Sequence, residues 1–540
     1  MAWNKHPRPQ MQREEYSILN DGWELNSRPI RMPFPPQSKL SGYDGEIGER
    51  LEYVCKFFVP DAWDGGRVLL HFGAVDQIAE VSLNGTEVGK HEGGYLPFIF
   101  DVTELLEEKE NFLQVTVTDE LSHDYPYGKQ CKKPHGMWYT PVSGIWQQVW
   151  IEHVPEIYIE KLKITPSLDR IKIDVTCNQP ADNMSVRITL PKGGTLHMEL
   201  AGGNFETEIP NPRLWTPDDP YLYDMTITAG DDRVKSYFAM RTTEIKKLDG
   251  VNRVCLNGEP VFLHGVLDQG YFADGIFLPE TEEGYDADIL RMKELGFNLL
   301  RKHIKVEPDY FYYACDKLGM LVMQDMVNNG SYSFVRDTAL PTVGFKKRSD
   351  RKLNRSQKVR DVFRLHTKET IEHLYNHPCI VAYTIFNEGW GQFLADEMYD
   401  MVKGLDATRL VDATSGWFAQ TKSDFDSEHI YFRLKKIRPK ERPLFVSECG
   451  GYQYMVKGHF FGEKEYGYGA CKDSDELTAR IEEMYEKMIL PYIADGVCGC
   501  IYTQLSDVEG EINGMYTYDR KVCKADKKRM QAIAEKIFKK

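Results

Sequence analysis

The 540-residue sequence lacks any run of about 18 apolar residues, the length that a membrane-crossing helix needs. Residues 1–10 contain no apolar core of the kind that secretory signal peptides carry. Positive charge is in deficit, with 67 Lys and Arg against 82 Asp and Glu, a net charge of −15. An acidic surface repels nucleic acids and anionic membranes, so we expect neither as a partner.

Two groups of functional motifs are also missing. The sequence has no Gly-x-Gly-x-x-Gly and no glycine-rich loop that ends in Gly-Lys-Ser/Thr, which leaves nucleotide binding without support. It has no Gly-x-Ser-x-Gly turn, which counts against a serine hydrolase. The eleven cysteines are odd in number and scattered, a pattern typical of free thiols in a reducing compartment. We therefore predict a cytoplasmic protein.

The chain is too long for one hydrophobic core, and its first 154 residues have the pattern of an all-β domain. Residues 79–85 alternate between apolar and polar and end in the hairpin signal Asn84-Gly85. Many short strands with regularly spaced turns predict a jelly roll over residues 1–154. A second all-β stretch, residues 155–246, has the size of an immunoglobulin-like β-sandwich.

From residue 247 the pattern changes to alternating strands and helices. Eight strand candidates separated by helical patterns predict a (β/α)₈ TIM barrel over residues 247–540. Residues 327–360, which are long and polar, are expected to form an active-site loop after the third strand. The strand candidates are 261–266, 298–303, 321–326, 381–387, 410–417, 429–432, 444–450 and 498–504.

Two glutamates mark the ends of candidate strands four and seven. Glu388 follows Asn387 and precedes a glycine, and Glu448 ends a similar apolar run 60 residues later. Side chains at the C-terminal strand ends of such a barrel converge on one pocket. Two carboxylates delivered there form the machinery of glycoside hydrolysis, one acid/base and one nucleophile. The alternative is that each glutamate only stabilises a strand end in a buried ion pair.

The order of these three domains resembles glycoside hydrolase family 2, and the resemblance covers essentially the whole chain. Its most specific parts are the tryptophan-rich run at 143–150 that closes the first domain, the stretches 256–265 and 296–301, and Asn387-Glu388. The family includes β-galactosidases, β-glucuronidases and β-mannosidases.

The resemblance implies roles for particular residues. Glu388 would be the acid/base and Glu448 the nucleophile, with Arg301 as the counter-charge that keeps Glu448 ionised. Asn387 would hydrogen-bond the 2-hydroxyl of the sugar. Tyr431 resembles the family tyrosine that donates a hydrogen bond to the nucleophile. This chemistry requires no cofactor and no metal.

Departures from the family pattern bear on the sugar. Members often carry Ser-His-Tyr-Pro after the arginine of strand two, whereas this chain has Arg301-Lys-His303-Ile-Lys305. Typical β-glucuronidases of the family carry Asn-x-Lys to grip the sugar carboxylate, but this chain has Glu511-Ile-Asn513. A glutamate there would repel a uronic acid, although Lys302, His303 or Lys305 could form a different carboxylate site.

Further candidates for sugar contacts are aromatic or polar residues at strand ends, each with core packing or a loop role as the alternative. A Glu372-His373-x-x-x-His377 run has a spacing that can hold zinc, but no third ligand is evident and Pro378 follows, so we favour a structural role. Trp138 could reach the pocket from the first domain. The other candidate substrate-binding residues are Trp390, Trp417, Asp268, Tyr502 and His303.

The sequence therefore predicts a retaining exo-β-glycosidase with a β-galactosidase-like preference for a neutral sugar. The first alternative is a β-uronidase, for glucuronides or galacturonides, with an atypical carboxylate site. The second is a catalytically silent carbohydrate-binding protein, and a third is an inverting enzyme, which would need its carboxylates about 6.5–9.5 Å apart. The oligomeric state stays open, with a homo-oligomer as one option because neighbouring subunits can line the pocket in this family.

Overall fold

A computed structural model describes residues 3–200, 202–431 and 434–539. The first domain packs a four-stranded sheet against a six-stranded sheet, in the orders β1-β12-β5-β9 and β3-β2-β4-β10-β7-β8, with β6 and β11 pairing beside them. Strands such as Asn111–Thr118 alternate buried with less buried side chains because only one face meets the core. The strands are β1 Tyr16–Ile18, β2 Trp23–Leu25, β3 Arg28–Pro29, β4 Arg50–Phe57, β5 Arg67–Phe72, β6 Val75–Asp76, β7 Ile78–Leu83, β8 Thr86–Glu92, β9 Phe98–Asp101, β10 Asn111–Thr118, β11 Gly144–Ile145 and β12 Val149–Val154.

The second domain is a smaller sandwich of two antiparallel sheets, β13-β14-β17 and β16-β15-β18-β19, around its own apolar core. A three-stranded sheet, β20-β21-β22, connects it to the third domain. The strands are β13 Ile159–Pro166, β14 Arg170–Cys177, β15 Met184–Thr189, β16 Thr195–Leu200, β17 Asn204–Glu208, β18 Tyr223–Ala229, β19 Asp232–Phe238, β20 Thr243–Leu248, β21 Val251–Leu256 and β22 Glu259–Pro260.

The third domain is a barrel of eight parallel strands in the order β27-β26-β25-β24-β23-β32-β29-β28. Among the described residues, hydrogen-bonded ladders join every neighbouring pair except β27 and β28, so the ring is nearly closed. Except for the half-buried start of β28, its strands are buried on both faces, as parallel strands covered by helices must be. They are β23 Leu263–Asp268, β24 Leu299–Lys302, β25 Leu321–Asp325, β26 Ile380–Asn387, β27 Leu410–Ser415, β28 Asp426–Ile430, β29 Leu444–Gly450 and β32 Val497–Thr503; the short pair β30 Tyr452–Gln453 and β31 Tyr468–Ala470 lies apart.

The helices lie mainly between the barrel strands. None of those in the described part of the chain is both long and apolar enough to cross a membrane. They are α1 Glu283–Glu294, α2 Asp309–Leu318, α3 Leu340–Thr342, α4 Gln357–Leu374, α5 Ala395–Leu405, α6 Ser474–Met484 and α7 Lys527–Phe538; short 3₁₀ or π turns occupy Lys39–Ser41, Thr103–Leu105, Val335–Ala339, Tyr485–Ile489 and Leu490–Tyr492.

This architecture confirms the predicted fold class of jelly roll, β-sandwich and TIM barrel. The eight candidate strands match the eight observed strands within a few residues, except that the end of candidate 429–432 lies outside the described residues. The polar segment 327–360 follows β25, as predicted, and contains a π turn and a short helix before α4 begins.

Candidate active site

Glu388 follows the last residue of β26 in a strained backbone conformation. Its φ of 52° lies in the left-handed region that side chains other than glycine rarely adopt. Its backbone N–H donates to Ser415 O on β27 at 3.0 Å, which holds the turn in place. Gly389, also at positive φ, packs so closely on Phe418 that an added Cβ would lie 2.3 Å from the ring. The turn therefore fixes the Glu388 carboxylate at the C-terminal end of the barrel.

Glu448 lies within β29 and is bound by two donors. Arg301 on β24 donates through Nη1 to Glu448 Oε1 at 3.0 Å, and the Tyr431 hydroxyl donates to Glu448 Oε2. The guanidinium is fully buried and also pairs with Asp325, at 3.0 Å from Nη2 to Oδ2. Tyr431 OH lies 3.2 Å from Thr503 Oγ1 on β32.

A histidine that sequence reasoning missed lies between the two glutamates. His429 on β28 has its Nδ1 2.8 Å from Glu388 Oε1 and 3.5 Å from Glu448 Oε2. Its Nε2 lies 2.9 Å from Ser415 Oγ, which orients the ring. One donor atom from each of the three side chains lies within 4.8 Å of the other two, so the two carboxylates are close neighbours.

The electrostatic environments of Glu388, His429 and Tyr431 differ. Burial raises the pKa of Glu388 to about 7, although nearby Lys129 and Arg301 partly oppose this effect. Burial lowers the pKa of His429 to about 3, so its imidazole is neutral at ordinary pH. Burial, together with the charge of Glu448, raises the pKa of Tyr431 well above its usual value, which keeps the phenol protonated as a donor.

The side-chain amide of Asn387 is bound through its oxygen but not through its nitrogen. Its Oδ1 accepts a hydrogen bond from Arg301 Nη2 at 2.9 Å. Its Nδ2 is buried and has no hydrogen-bond partner among the described residues. Buried donors are nearly always paired in folded proteins, so this amide is available to a bound ligand.

Aromatic side chains cluster beside the Glu388 turn. Trp390, two residues after Glu388, packs 5.5 Å from Trp138 of the first domain and 5.8 Å from Tyr332 of the 327–360 loop. Trp417 donates through Nε1 to Glu388 O at 3.1 Å and therefore supports the Glu388 turn. The first domain and the loop after β25 thus both contribute to the site, as expected for that loop.

Three other predicted residues make their contacts elsewhere. Asp268 pairs with Lys302 at 2.6 Å, and Tyr502 packs against Gly450, away from the carboxylates. His303 lies nearer, with Nδ1 2.8 Å from Asp325 Oδ2 and its ring 6.2 Å from that of Trp390. Its contact holds Asp325, the partner of Arg301, and it does not meet the two glutamates directly.

The buried basic run is also already paired. Lys302 Nζ lies 2.8 Å from Glu307 Oε1 as well as near Asp268, and Lys305 Nζ lies 2.8 Å from Glu307 Oε2. Lys305 further donates to the backbone oxygens of Gly270 and Phe277 at 2.6 and 2.7 Å. Lys305 thus uses all three of its N–H donors, and Lys302 uses two of its three, with a carboxylate as partner in each case.

The donor atoms of Glu388, His429 and Glu448 are close enough to hold a metal ion. However, Arg301 already neutralises Glu448, and a buried guanidinium beside a site repels a divalent cation. The His373–His377 pair does not form a metal site either. Each imidazole meets a different aspartate, Asp309 at 2.8 Å and Asp316 at 2.7 Å.

Two charged residues near the site were also missed. Lys129, from the first domain, places its Nζ 4.5 Å from the centre of the Trp390 ring. Glu511, after β32, accepts hydrogen bonds from the Tyr139 hydroxyl and from Asn513 Nδ2, the latter at 2.9 Å. In the sequence, Glu511 was noted only because it departs from the Asn-x-Lys motif. Lys129 was not predicted, because the segment around it has no regular pattern.

Three family models match consecutive parts of the chain. A glycosyl hydrolase 2 galactose-binding domain-like model matches residues 45–151, and a glycosyl hydrolases family 2 model matches residues 157–241. A glycosyl hydrolases family 2, TIM barrel domain model matches residues 247–448. Together these models cover most of the chain in the same order as its domains.

Similar proteins carry two different names. A β-galactosidase of Thermoanaerobacter pseudethanolicus is 27% identical over 82% of this chain and 60% of its own length. A β-glucuronidase of Bacteroides fragilis is 25% identical over 72% of this chain and 58% of its own length. The chain thus spans less than two thirds of these relatives. The solved β-glucuronidase of Ruminococcus gnavus has the same fold, with a TM-score of 0.78, 17% identity and 99% of each chain covered.

Proposed function

Because the chain belongs to glycoside hydrolase family 2, we propose that it is a retaining exo-β-glycosidase that removes terminal β-linked sugars. The observation that carries the proposal is the closeness of the two glutamates. An oxygen of Glu388 and an oxygen of Glu448 lie within 4.8 Å of each other. Retaining enzymes hold their carboxyl groups about 5–5.5 Å apart, whereas inverting enzymes need about 6.5–9.5 Å to admit a water.

In the first step, the Glu388 carboxyl gives its proton to the glycosidic oxygen while Glu448 attacks the anomeric carbon. The C–O bond to the aglycone breaks, and a covalent ester with Glu448 forms. The raised pKa of Glu388, about 7, supports its role as the acid. The hydrogen bonds from Arg301 and Tyr431 orient the Glu448 carboxylate for this attack.

In the second step, Glu388, now a carboxylate, removes a proton from water. The resulting oxygen attacks the anomeric carbon, and Glu448 leaves with the electrons of the ester bond. Asn387 Nδ2 is the donor we assign to the sugar 2-hydroxyl, a bond that strengthens in the oxocarbenium-like transition state. Both glutamates are less than 10% exposed, which suits a pocket for a terminal sugar.

A neutral sugar remains the preferred substrate, with the β-uronidase as the alternative. The neutral preference is supported by the buried pairs of Lys302 with Asp268 and of Lys305 with Glu307, which already compensate the charges of that basic run. The eleven cysteines are all free thiols, which supports the proposed cytoplasmic location. The homo-oligomer stays a prediction.

The test combines a substrate panel with product stereochemistry. Turnover is measured on p-nitrophenyl β-galactoside, β-glucoside, β-mannoside, β-glucuronide and β-galacturonide and on the α-arabinoside. The anomer first formed is then identified by proton NMR. We expect a neutral β-glycoside to react fastest and to release the β-anomer; the α-anomer would identify an inverting enzyme. Glycan binding without any turnover would favour the carbohydrate-binding protein.

A further inference from the structure

Lys129 belongs to the first domain, yet its side chain ends beside Trp390 of the barrel. Its Nζ lies 4.5 Å from the centre of the Trp390 ring and 5.8 Å from that of Trp138. The residue is only 6% exposed. Two exposed lysines follow on the same segment, Lys132 and Lys133, so burial is particular to this one.

The Lys129 ammonium makes no hydrogen bond and no ion pair within 4.0 Å to any residue in the described ranges. An ammonium group has three donors, and in so buried a residue it is costly to leave them without a protein partner unless water or a ligand binds them. Burial accordingly lowers the pKa of Lys129, against the opposing charges of Glu511, Glu448 and Glu388. Its contacts with the two indole rings stabilise the charge but use none of its N–H groups.

Glu511 and Lys129 are both joined to Tyr139, whose hydroxyl donates to Glu511 and whose backbone N–H donates to Lys129 O at 3.0 Å. Glu511 is 4% exposed and also accepts a hydrogen bond from Asn513 Nδ2. Burial raises the pKa of Glu511, and the charge of Lys129 opposes this effect. Each oxygen of Glu511 accepts one bond and retains a lone pair for another, because a carboxylate oxygen has two.

The charged groups near the two glutamates already include more carboxylates than cations. Arg301 pairs with Asp325 and Glu448, and Glu511 faces Lys129. A substrate carboxylate beside Lys129 would also face Glu511 in a site of low dielectric, where like charges repel strongly. A sugar hydroxyl meets no such repulsion, since it can accept from the ammonium and donate to the carboxylate.

We propose that Lys129 and Glu511 form a hydroxyl-binding subsite that recognises non-reacting hydroxyls of a neutral terminal sugar and excludes a uronate. The first domain thereby completes the sugar pocket of the barrel. This inference rests on the proposed glycosidase function and names the substrate class of the same site.

The experiment compares Lys129→Met and Glu511→Gln with wild type on the best neutral p-nitrophenyl β-glycoside and on its 4-deoxy and 6-deoxy analogues. Lys133→Met is the matched control, because that lysine is exposed on the same segment. Lys129→Gln replaces Lys129→Met if the latter does not fold by circular dichroism. We also measure binding of the same glycosides by calorimetry in a Glu448→Gln background, which gives a readout independent of turnover.

We expect Lys129→Met and Glu511→Gln to lower kcat/KM on the parent glycoside by about 10- to 100-fold, the usual effect of losing a charged hydrogen bond. On the analogue that lacks the recognised hydroxyl, the variants and wild type should differ little. Lys133→Met should match wild type throughout. The affinities measured in the Glu448→Gln background should follow the same pattern.

An equal loss on all three glycosides would mean that Lys129 has only a structural role, and it would overturn the proposal. A wild type that prefers uronides and loses that preference in Lys129→Met would also overturn it, because the subsite would then bind a carboxylate. Binding with the expected pattern but without turnover would contradict the proposed function alone. Absence of any binding of neutral glycosides would contradict the subsite.

Discussion

The surroundings of Glu388 and Glu448 differ although both glutamates are buried at the same end of one barrel. Glu448 receives hydrogen bonds from a guanidinium and a phenol, so its charge is compensated. Among the described residues, the Glu388 side chain has one hydrogen-bond partner, the neutral imidazole of His429. Burial is therefore the main influence on Glu388, and it raises the pKa to about 7.

This difference shows how one residue type can perform two tasks in a single pocket. Burial alone disfavours a charged carboxylate, whereas burial beside paired donors preserves it. The strands supply the difference, since β24 and the end of β28 deliver Arg301 and Tyr431 to Glu448 but not to Glu388. When the environments of two neighbouring carboxyl groups differ in this way, the group that keeps its proton is assigned as the acid and the charged group as the nucleophile.

The largest effect should come from removing the nucleophile. Glu448→Gln is expected to lower kcat by about 10⁴- to 10⁶-fold, the range seen when a residue of a catalytic unit is removed. Glu448→Gly should recover activity with azide, because the small anion fits where the carboxylate lay and attacks the anomeric carbon. Turnover is followed by p-nitrophenol release, and the glycosyl azide is identified by NMR.

Glu509→Gln provides the control for Glu448, since Glu509 is a half-buried glutamate of the same domain whose side chain accepts a hydrogen bond from the Thr140 backbone N–H at 2.9 Å. We expect it to keep most activity and to show no azide effect. Near-wild-type turnover by Glu448→Gln would contradict the nucleophile assignment. The difference in role that the comparison gives to the two glutamates would then be wrong.

A smaller and more selective effect is expected at the acid. Glu388→Gln should lose about 10²- to 10⁴-fold on alkyl glycosides, the usual contribution of general acid catalysis. It should lose much less on nitrophenyl glycosides, whose leaving groups need little protonation. In wild type, kcat/KM should fall as the pH rises above about 7, because Glu388 then loses the proton that it must donate.

The pH profile of Glu388→Gln tests the same assignment independently of leaving groups. The variant should lack the decrease above pH 7 on nitrophenyl glycosides. A decrease that persists unchanged in the variant would mean that another group, such as Lys129, controls the alkaline side of the profile.

The barrel strands were largely predictable from sequence because their apolar runs are bounded by charge and glycine. The candidate 444–450 coincides with β29, and 381–387 differs from β26 by one residue. The domain boundaries at residues 154 and 246 remain predictions. Local pattern predicts elements well here because parallel strands must be apolar on both faces.

The contacts of single side chains were less predictable, because alternation along a strand decides which way they point. In β32, Thr503 reaches Tyr431, so its neighbour Tyr502 faces away from the pocket. In β23, Asp268 pairs in register with Lys302 rather than with Arg301, so it joins Lys302 outside the site. Successive side chains of a strand point to opposite faces, so this alternation could have shown that Tyr502 and Asp268 do not face the same way as Thr503 and Arg301.

The residues that were missed come from segments remote in sequence. Lys129 reaches the pocket through domain packing, which no local pattern encodes. His429 lies on β28, two residues before the predicted Tyr431. Side chains two residues apart on a strand point to the same face, so the prediction for Tyr431 could have identified His429 as well.

The smallest effect is thermodynamic, and it compares the two glutamates directly. The pKa of Glu388 rises from its ordinary value of 4.5 to about 7 on folding, so folding forces the carboxyl to hold a proton or bear a buried charge. The resulting loss in the free energy of unfolding is absent below pH 4.5, grows between pH 4.5 and 7 and is complete above pH 7. Glu388→Gln removes the cost and should raise the free energy of unfolding by about 3 kcal/mol at pH 8 and by less than about 1 kcal/mol at pH 5. Glu448→Gln should instead lower it at both pH values, because the amide replaces a charge that Arg301 and Tyr431 bind. Urea unfolding of both variants at the two pH values measures the difference, and equal shifts for the two variants would show that their environments are alike.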